Sequence, residues 1–281
     1  MKSEIEAFTA YLEQVKKSSA NTVMSYHRDL LQMREYLENQ GITEPSKVTK
    51  TSLNSYMLYL ERQGRAASTI SRMMASVKAF FHYEQNEGKI RRDPAELLKT
   101  PKVERKPPVI LTADEVHRFL CQPAGTSDKE IRDKAMLELL CATGIRVSEL
   151  IGLKLSDVDL SVGYIVCRDG GRERMIPFGK EAARCLRKYL GEARNRLLKG
   201  GESEWLFTNC SGAPMSRQGF WKIVKYYGEK AHIQTEITPY TLRHSFAVNM
   251  IGSGADLQEV QTRMGHSDLA TTQAYMAYLR K

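Results

Sequence analysis

The chain has 281 residues, 42% of them apolar and 27% charged, with a formal charge of +9. That length suits two domains and the apolar fraction can fill real cores, which excludes global disorder. No window approaches about 18 uninterrupted apolar residues, so no membrane helix is expected. The first twenty residues carry Glu4, Glu6 and Glu13 and lack a signal-peptide core, so export is not expected either.

The first hundred residues read as four helices. Ile5, Phe8, Leu12 and Val15 recur at helical spacing, and Val23, Tyr26, Leu30, Met33 and Leu37 repeat it in a second segment. Gly41 closes that helix and Pro45 marks a turn. A third segment runs through Leu53, Met57 and Leu60 to Gly64, and a fourth carries Ile70, Met73, Met74, Val77, Phe80 and Phe81. Short polar connections between them predict a small bundle over 1–98, with the Met and Phe stripe as core.

The texture changes at KTPKVERKPP, which has three prolines, four basic residues and Val103 as its one apolar side chain. Proline removes backbone donors and restricts its neighbour, so 99–109 reads as an extended basic linker to a second domain over 110–281. Residues 1–106 hold 18 basic and 13 acidic groups, and 107–281 hold 24 and 20, giving +5 and +4. Charge shared in this way suits two halves gripping one polyanion better than a single basic tail.

The second half opens on Thr112-Ala-Asp-Glu115, a capping-box pattern ahead of Val116, Phe119 and Leu120. An apolar helix over about 131–142 ends at Thr143-Gly144. Tyr164–Cys167 and Met175-Ile176 read as strands flanking a tip at Arg168–Arg174, whose paired glycines favour a hairpin. Helical patterns return at about 180–198, 216–231, 240–252, 256–264 and 268–278, so the class is mainly α with a small antiparallel sheet. The five cysteines are odd in number and contain no C-x-x-C pair, against both a disulfide framework and a zinc cage and in keeping with a reducing cytoplasm.

No phosphate-binding P-loop, dinucleotide fingerprint, H-E-x-x-H helix or G-x-S-x-G elbow occurs. The notable polar residues stand at helix starts or within apolar helices. In Ala142-Thr-Gly-Ile-Arg-Val-Ser-Glu-Leu150, Arg146 is set between Ile145 and Val147 and needs an anionic partner. A structural pair with Glu149 or Asp157 would meet that need, and so would a bound anion. Thr238-Pro-Tyr-Thr-Leu-Arg-His-Ser-Phe246 puts Arg243 in the first turns of a helix started by Pro239. Met264-Gly-His-Ser-Asp-Leu-Ala-Thr-Thr-Gln-Ala-Tyr275 sets His266 after a glycine and Tyr275 nine residues later.

The segments ATGIRVSEL, TPYTLRHSF and GHSDLATTQAY, in that order, resemble the tyrosine recombinases of the phage integrase family, and the Xer type in particular. The resemblance extends over nearly the whole chain, including SANTVMSYHRDL and ASTISRMMASVKAFFHYE in the first half. It implies an N-terminal four-helix, SAM-like DNA-binding domain followed by a tyrosine-recombinase catalytic domain. It further implies that Tyr275 attacks a scissile phosphate to leave a 3′-phosphotyrosyl link. Arg146 and Arg243 would hold the non-bridging oxygens, His266 would hydrogen-bond the phosphate or assist proton transfer, and Glu149 would brace the site. Planar guanidinium forks suit that role because they match phosphate bidentately and stay charged.

The phosphotyrosyl ester conserves bond energy, so the resemblance implies neither ATP nor an obligatory metal or other cofactor. The partners it implies are double-stranded DNA and other protomers, as a homo- or hetero-tetramer on DNA that is monomeric in isolation. By the same resemblance Asn21, Thr22, Ser25, Tyr26, Arg72 and Lys78 would face the duplex from the first half. Arg168 and Arg172 on the hairpin would join them, with Lys222 and Lys225 completing the grip.

Two positions depart from the family pattern. Aligning Arg172-Glu173-Arg174 with the family's hairpin motif places Asp169 where a lysine general acid belongs, and an aspartate there repels phosphate. Tyr240 stands where histidine or lysine is usual. These departures motivate a rival reading, a weakly catalytic or inactive DNA-binding relative that assists an active recombinase; a type IB topoisomerase is a remoter alternative. Xer-type proteins also continue past the tyrosine into a helix that docks on a neighbour, whereas here Met276 to Lys281 follow it.

Overall fold

Apolar side chains at three- and four-residue spacing build the N-terminal part. A computed structural model describes residues 1–103, 107–169 and 172–279, with the side chains of Asp169 and Arg172 outside that description. Helix α1 (Lys2–Gln14) buries Ile5, Phe8 and Leu12 on one face. Val15, read from its spacing as a fourth core position, is instead 66% exposed, because the helix stops one residue before it and the face turns away. Helix α2 (Ala20–Glu38) starts where Ser19 Oγ accepts the Thr22 N–H. Helix α3 (Lys50–Arg62) starts from a Thr49–Ser52 capping box. Helix α4 (Ala67–Asn86) completes the bundle, with Met73, Met74, Phe80 and Phe81 all buried. Phe8 meets Phe80 edge to face with centroids 5.7 Å apart, a preferred geometry for aromatic pairs.

The chain divides into two compact units, Met1–Lys106 and Pro107–Lys281, each with a hydrophobic core of its own. In the second unit Thr112 caps α5 (Ala113–Leu120) through the box expected with Glu115. The centre is α6 (Asp128–Thr143), which buries residues on every side and ends at Gly144 in the left-handed conformation, φ +63°. The short α7 (Val147–Ile151) follows directly, with Arg146 at its N-cap.

The sheet is antiparallel with order β1 (Val158–Asp159), β2 (Tyr164–Asp169), β3 (Arg172–Pro177). The hairpin strands run further than the sequence pattern indicates. Arg168 pairs with Glu173 and Asp169 with Arg172, so residues expected in the tip belong to the ladder. Arg168 and Glu173 are exposed, so this end of the hairpin lacks the apolar positions by which a strand is recognised. The two-residue β1 carries too little pattern to be recognised.

Helix α8 (Lys180–Lys188) continues through a π turn at Tyr189–Ala193 into α9 (Arg194–Leu198), giving the single pattern seen over 180–198. After α10 (Arg217–Lys230) come α11 (Pro239–Gly252), α12 (Leu257–Met264) and α13 (Leu269–Gln273), the last passing into a 3-10 turn at Ala274–Tyr278. Ala247, Val248, Val260, Met264 and Tyr275 form a small separate core that locks these last elements together. All five cysteines are free thiols. Among the described residues no helix is long and apolar enough to cross a membrane, and no group of metal-ligating side chains is assembled.

Candidate active site

Helix ends leave carbonyls without intrahelical partners, and cations are favoured there. The candidate site uses two such ends. Arg243, on the second turn of α11, donates from Nη1 to Gly144 O at the end of α6 and from Nη2 to Met264 O at the end of α12. Arg146 donates from Nη2 to Gly265 O, one residue further along the same chain reversal. Gly265 has φ +63°, and a Cβ there would come within 2.8 Å of the Arg174 guanidinium carbon. A side chain at 265 would therefore strain the backbone and require the Arg174 guanidinium to shift.

Glu149 organises the arginines from the opposite side. One oxygen accepts the Arg146 backbone N–H at 2.7 Å, the other lies 3.1 Å from Arg146 Nη1, and Arg174 reaches both oxygens at 2.8 Å. Burial pushes the Glu149 carboxyl up, but the Arg174 hydrogen bond, the Arg146 N–H and the two guanidinium charges outweigh it and hold the group below the usual carboxylate range. Arg243 is 7% exposed, and burial together with Arg146 pulls its guanidinium down to about 10, still a cation at neutral pH.

Tyr275 is the second residue of the last 3-10 turn and is 5% exposed. Its hydroxyl lies 2.6 Å from His244 Nδ1, and its ring stacks on His266 with centroids 6.2 Å apart. Burial raises the Tyr275 phenol while the Arg243 charge opposes the rise. His266 Nδ1 sits 2.9 Å from Thr272 Oγ1; burial, then Arg243 and Arg146, push its imidazole down to about 4. Burial and Arg243 also lower His244.

Arg146, Arg243, His266, Glu149 and Tyr275 thus come together around the end of α12. Tyr240 stands on the first turn of α11, 64% exposed, one helical turn before His244. Asp169 ends β2, and as site residues Asp169 and Arg172 lie outside the described side chains. Arg168, read as a DNA contact, pairs with Asp157 and, at 2.8 Å, with Glu173. In the N-terminal unit Asn21 is exposed, Thr22, Ser25 and Lys78 are half-buried, and Tyr26 packs against the core. Arg72 pairs with the buried Asp29.

Two side chains at the centre were not singled out from sequence. Arg174 closes the polar Arg172-Glu173-Arg174 run of the hairpin, and His244 directly follows Arg243. The signal for His244 is the polar run Arg243-His244-Ser245 set between Leu242 and Phe246 in α11.

Residues 110–281 match the model of the phage integrase family, and residues 5–88 match that family's N-terminal SAM-like domain. The chain belongs to the phage integrase family. Its curated relatives include Xer-type tyrosine recombinases. It is 43% identical over 274 residues to tyrosine recombinase XerD of Oceanobacillus iheyensis, covering 96% of this chain and 92% of that one. It is 39% identical over 278 residues to tyrosine recombinase XerD of Listeria monocytogenes serotype 4b, covering 98% and 94%. Among solved structures, a lambda integrase dimer bound to a COC′ core site superposes with TM-score 0.76 at 19% identity, covering 98% of this chain and 94% of that chain. XerH bound to difH in a pre-cleavage complex gives TM-score 0.74 at 22% identity over 98% and 82%. These likenesses establish the mainly helical two-part recombinase fold.

Proposed function

We propose that this tyrosine recombinase cleaves and rejoins double-stranded DNA at specific sites. Tyr275 attacks the scissile phosphate and holds the DNA as a 3′-phosphotyrosyl ester, and a tyrosine suits covalent catalysis because its phenolate can displace a sugar hydroxyl. Arg146 and Arg243 bind the non-bridging oxygens, where their charges oppose the charge that grows in the pentacoordinate transition state. His266, neutral at pH 7, donates a hydrogen bond to the phosphate. Glu149 and Arg174 hold Arg146 in place.

The observation that carries this reading is the convergence of Arg146, Arg243, His266 and Tyr275 from four separate elements on the end of α12. The names of the relatives support it. Four protomers on two DNA sites, a Holliday-junction intermediate and action in the cytoplasm complete the proposal. The residues of the N-terminal unit together with Arg168 and Arg172 supply salt-sensitive contacts to phosphate.

The test uses duplexes with randomised centres, each nicked just beyond the candidate scissile phosphate so that the short cleaved strand diffuses away. Covalent protein–DNA adducts are recovered and sequenced to identify the target. The wild type forms adducts and Tyr275→Phe forms none. Failure of the wild type to form any adduct refutes the active-enzyme reading and favours the assisting, non-cleaving relative.

A further inference from the structure

Resting on that reading, we propose that His244 is a catalytic residue that takes the Tyr275 proton during DNA cleavage. Among the described residues it is the hydrogen-bond partner of the Tyr275 hydroxyl, with Nδ1 at 2.6 Å, well inside the reach of a general base. The contact joins α11 to the last 3-10 turn, two elements held together by the small core of Ala247, Val248, Val260 and Met264. The imidazole is therefore positioned by packing.

His266, the other histidine beside the phenol, is differently disposed. Its ring lies nearly parallel to that of Tyr275, 18° from coplanar, and its Nδ1 is engaged by Thr272. It faces the tyrosine with its π surface, whereas His244 faces the hydroxyl with a ring nitrogen. The charged and titratable groups that bear on His244 are Arg243 on its own helix, His266 after α12, and Tyr275 on the last turn. Arg243 beside it favours the neutral ring, which is the form that accepts a proton.

The step balances without a metal or co-reactant other than water. The Tyr275 O–H bond breaks and the proton passes to the lone pair of His244 Nδ1, with the ring's own N–H on Nε2. The phenolate oxygen forms the bond to phosphorus. The bond from phosphorus to the 5′-oxygen breaks, its electron pair leaves with that oxygen, and the 5′-oxygen takes a proton from water. On rejoining, the 5′-hydroxyl attacks the phosphotyrosyl phosphorus and gives its proton to the hydroxide left by that water, the bond from phosphorus to the Tyr275 oxygen breaks, and the imidazolium returns its proton to the departing phenolate.

The experiment compares wild type with His244→Asn in single-turnover adduct formation on the nicked duplex recovered by the wild type. Asparagine keeps a polar atom near the Nδ1 position but cannot take up a proton. At pH 7 the variant slows by on the order of 100-fold. Its rate keeps climbing with pH toward the ionisation of Tyr275, while the wild-type rate levels off above the His244 titration. A 5′-bridging phosphorothiolate, whose thiolate leaves without protonation, leaves the variant's defect in place. If His244→Asn cleaves within twofold of wild type with the same pH profile, or if the phosphorothiolate restores it, the inference is overturned. In the unmodified protein, nitrogen NMR of His244 finds Nδ1 unprotonated at pH 7; a proton resident on Nδ1 overturns it as well, whether or not the variant folds. A wild type without any Tyr275-dependent adduct sinks the recombinase reading and this inference together, whereas a normal wild type with an unimpaired variant sinks the inference alone.

Discussion

Glu149 and Arg174 form a two-point ion pair, 2.8 Å from each guanidinium Nη to a carboxylate oxygen, with the side chains only 7% and 13% exposed. It ties β3 to the turn that presents Arg146, so the hairpin reaches the candidate active site through the carboxylate that also accepts the Arg146 backbone N–H. A buried pair of this kind costs desolvation energy to form, and its main consequence is what happens when one member is removed.

Glu149→Ala leaves Arg174 buried without its carboxylate partner, and unfolding in urea should register a loss of about 3–5 kcal/mol. Glu149→Gln keeps the shape and changes the pH response. The wild-type carboxyl is held below the usual range, so its contribution is complete above the unfolded value near 4.5 and is lost as pH falls through the lower folded one. Stability measured from pH 6 to 2 should drop less steeply in Glu149→Gln.

The His266 imidazole titrates at about 4 in the fold against 6.5 when unperturbed. The unfolded chain takes up a proton first, so the stability tied to the neutral ring is present above 6.5 and is lost as pH falls through about 4. Proton NMR of the free protein should find His266 neutral at pH 6. In His266→Asn, the melting temperature between pH 7 and 4 should fall less than in wild type.

Asp169→Lys supplies a proton donor and removes a negative charge at the end of β2. General acid catalysis contributes roughly 100- to 10,000-fold, so adduct formation on an ordinary phosphodiester should accelerate by at least ~100-fold. On the phosphorothiolate, where no proton is needed, the gain should be much smaller. An unchanged rate on both substrates refutes the alignment that puts Asp169 in the lysine position.

Arg72 is the partner of Asp29, which is 2% exposed. Arg72→Ala strands that carboxylate and should destabilise the N-terminal unit by about 1–3 kcal/mol. Adding Asp29→Asn should recover most of the stability. If Arg72 also contacts phosphate, the double variant still binds DNA more weakly than wild type and shows a shallower salt dependence; equal affinity and slope remove Arg72 from the DNA-binding set.

Much of this protein is written locally. The spacing of Ile5, Phe8 and Leu12, the caps at Thr49 and Thr112, and the glycine after Thr143 each act within a few residues, so the helices and the N-terminal core follow from short-range pattern. The motifs around Arg146, Arg243, His266 and Tyr275 were legible as well, because their order along the chain is distinctive. Periodicity failed where partners are distant or elements short, as at the two-residue β1 and the polar end of the β2–β3 hairpin.

Which atoms those side chains meet was decided only by the tertiary structure. Arg146 finds Gly265 across 119 residues, Arg174 finds Glu149 across 25, and His244 finds the Tyr275 hydroxyl across 31. Apolar burial is nondirectional and tolerates a coarse pattern, whereas a hydrogen bond requires a donor and an acceptor within about 3 Å at a defined angle. The sequence by itself set Arg146, Arg243, His266 and Tyr275 in recognisable motifs. Packing α11, α12 and the final turn into one small core set His244, rather than His266, against the hydroxyl of Tyr275.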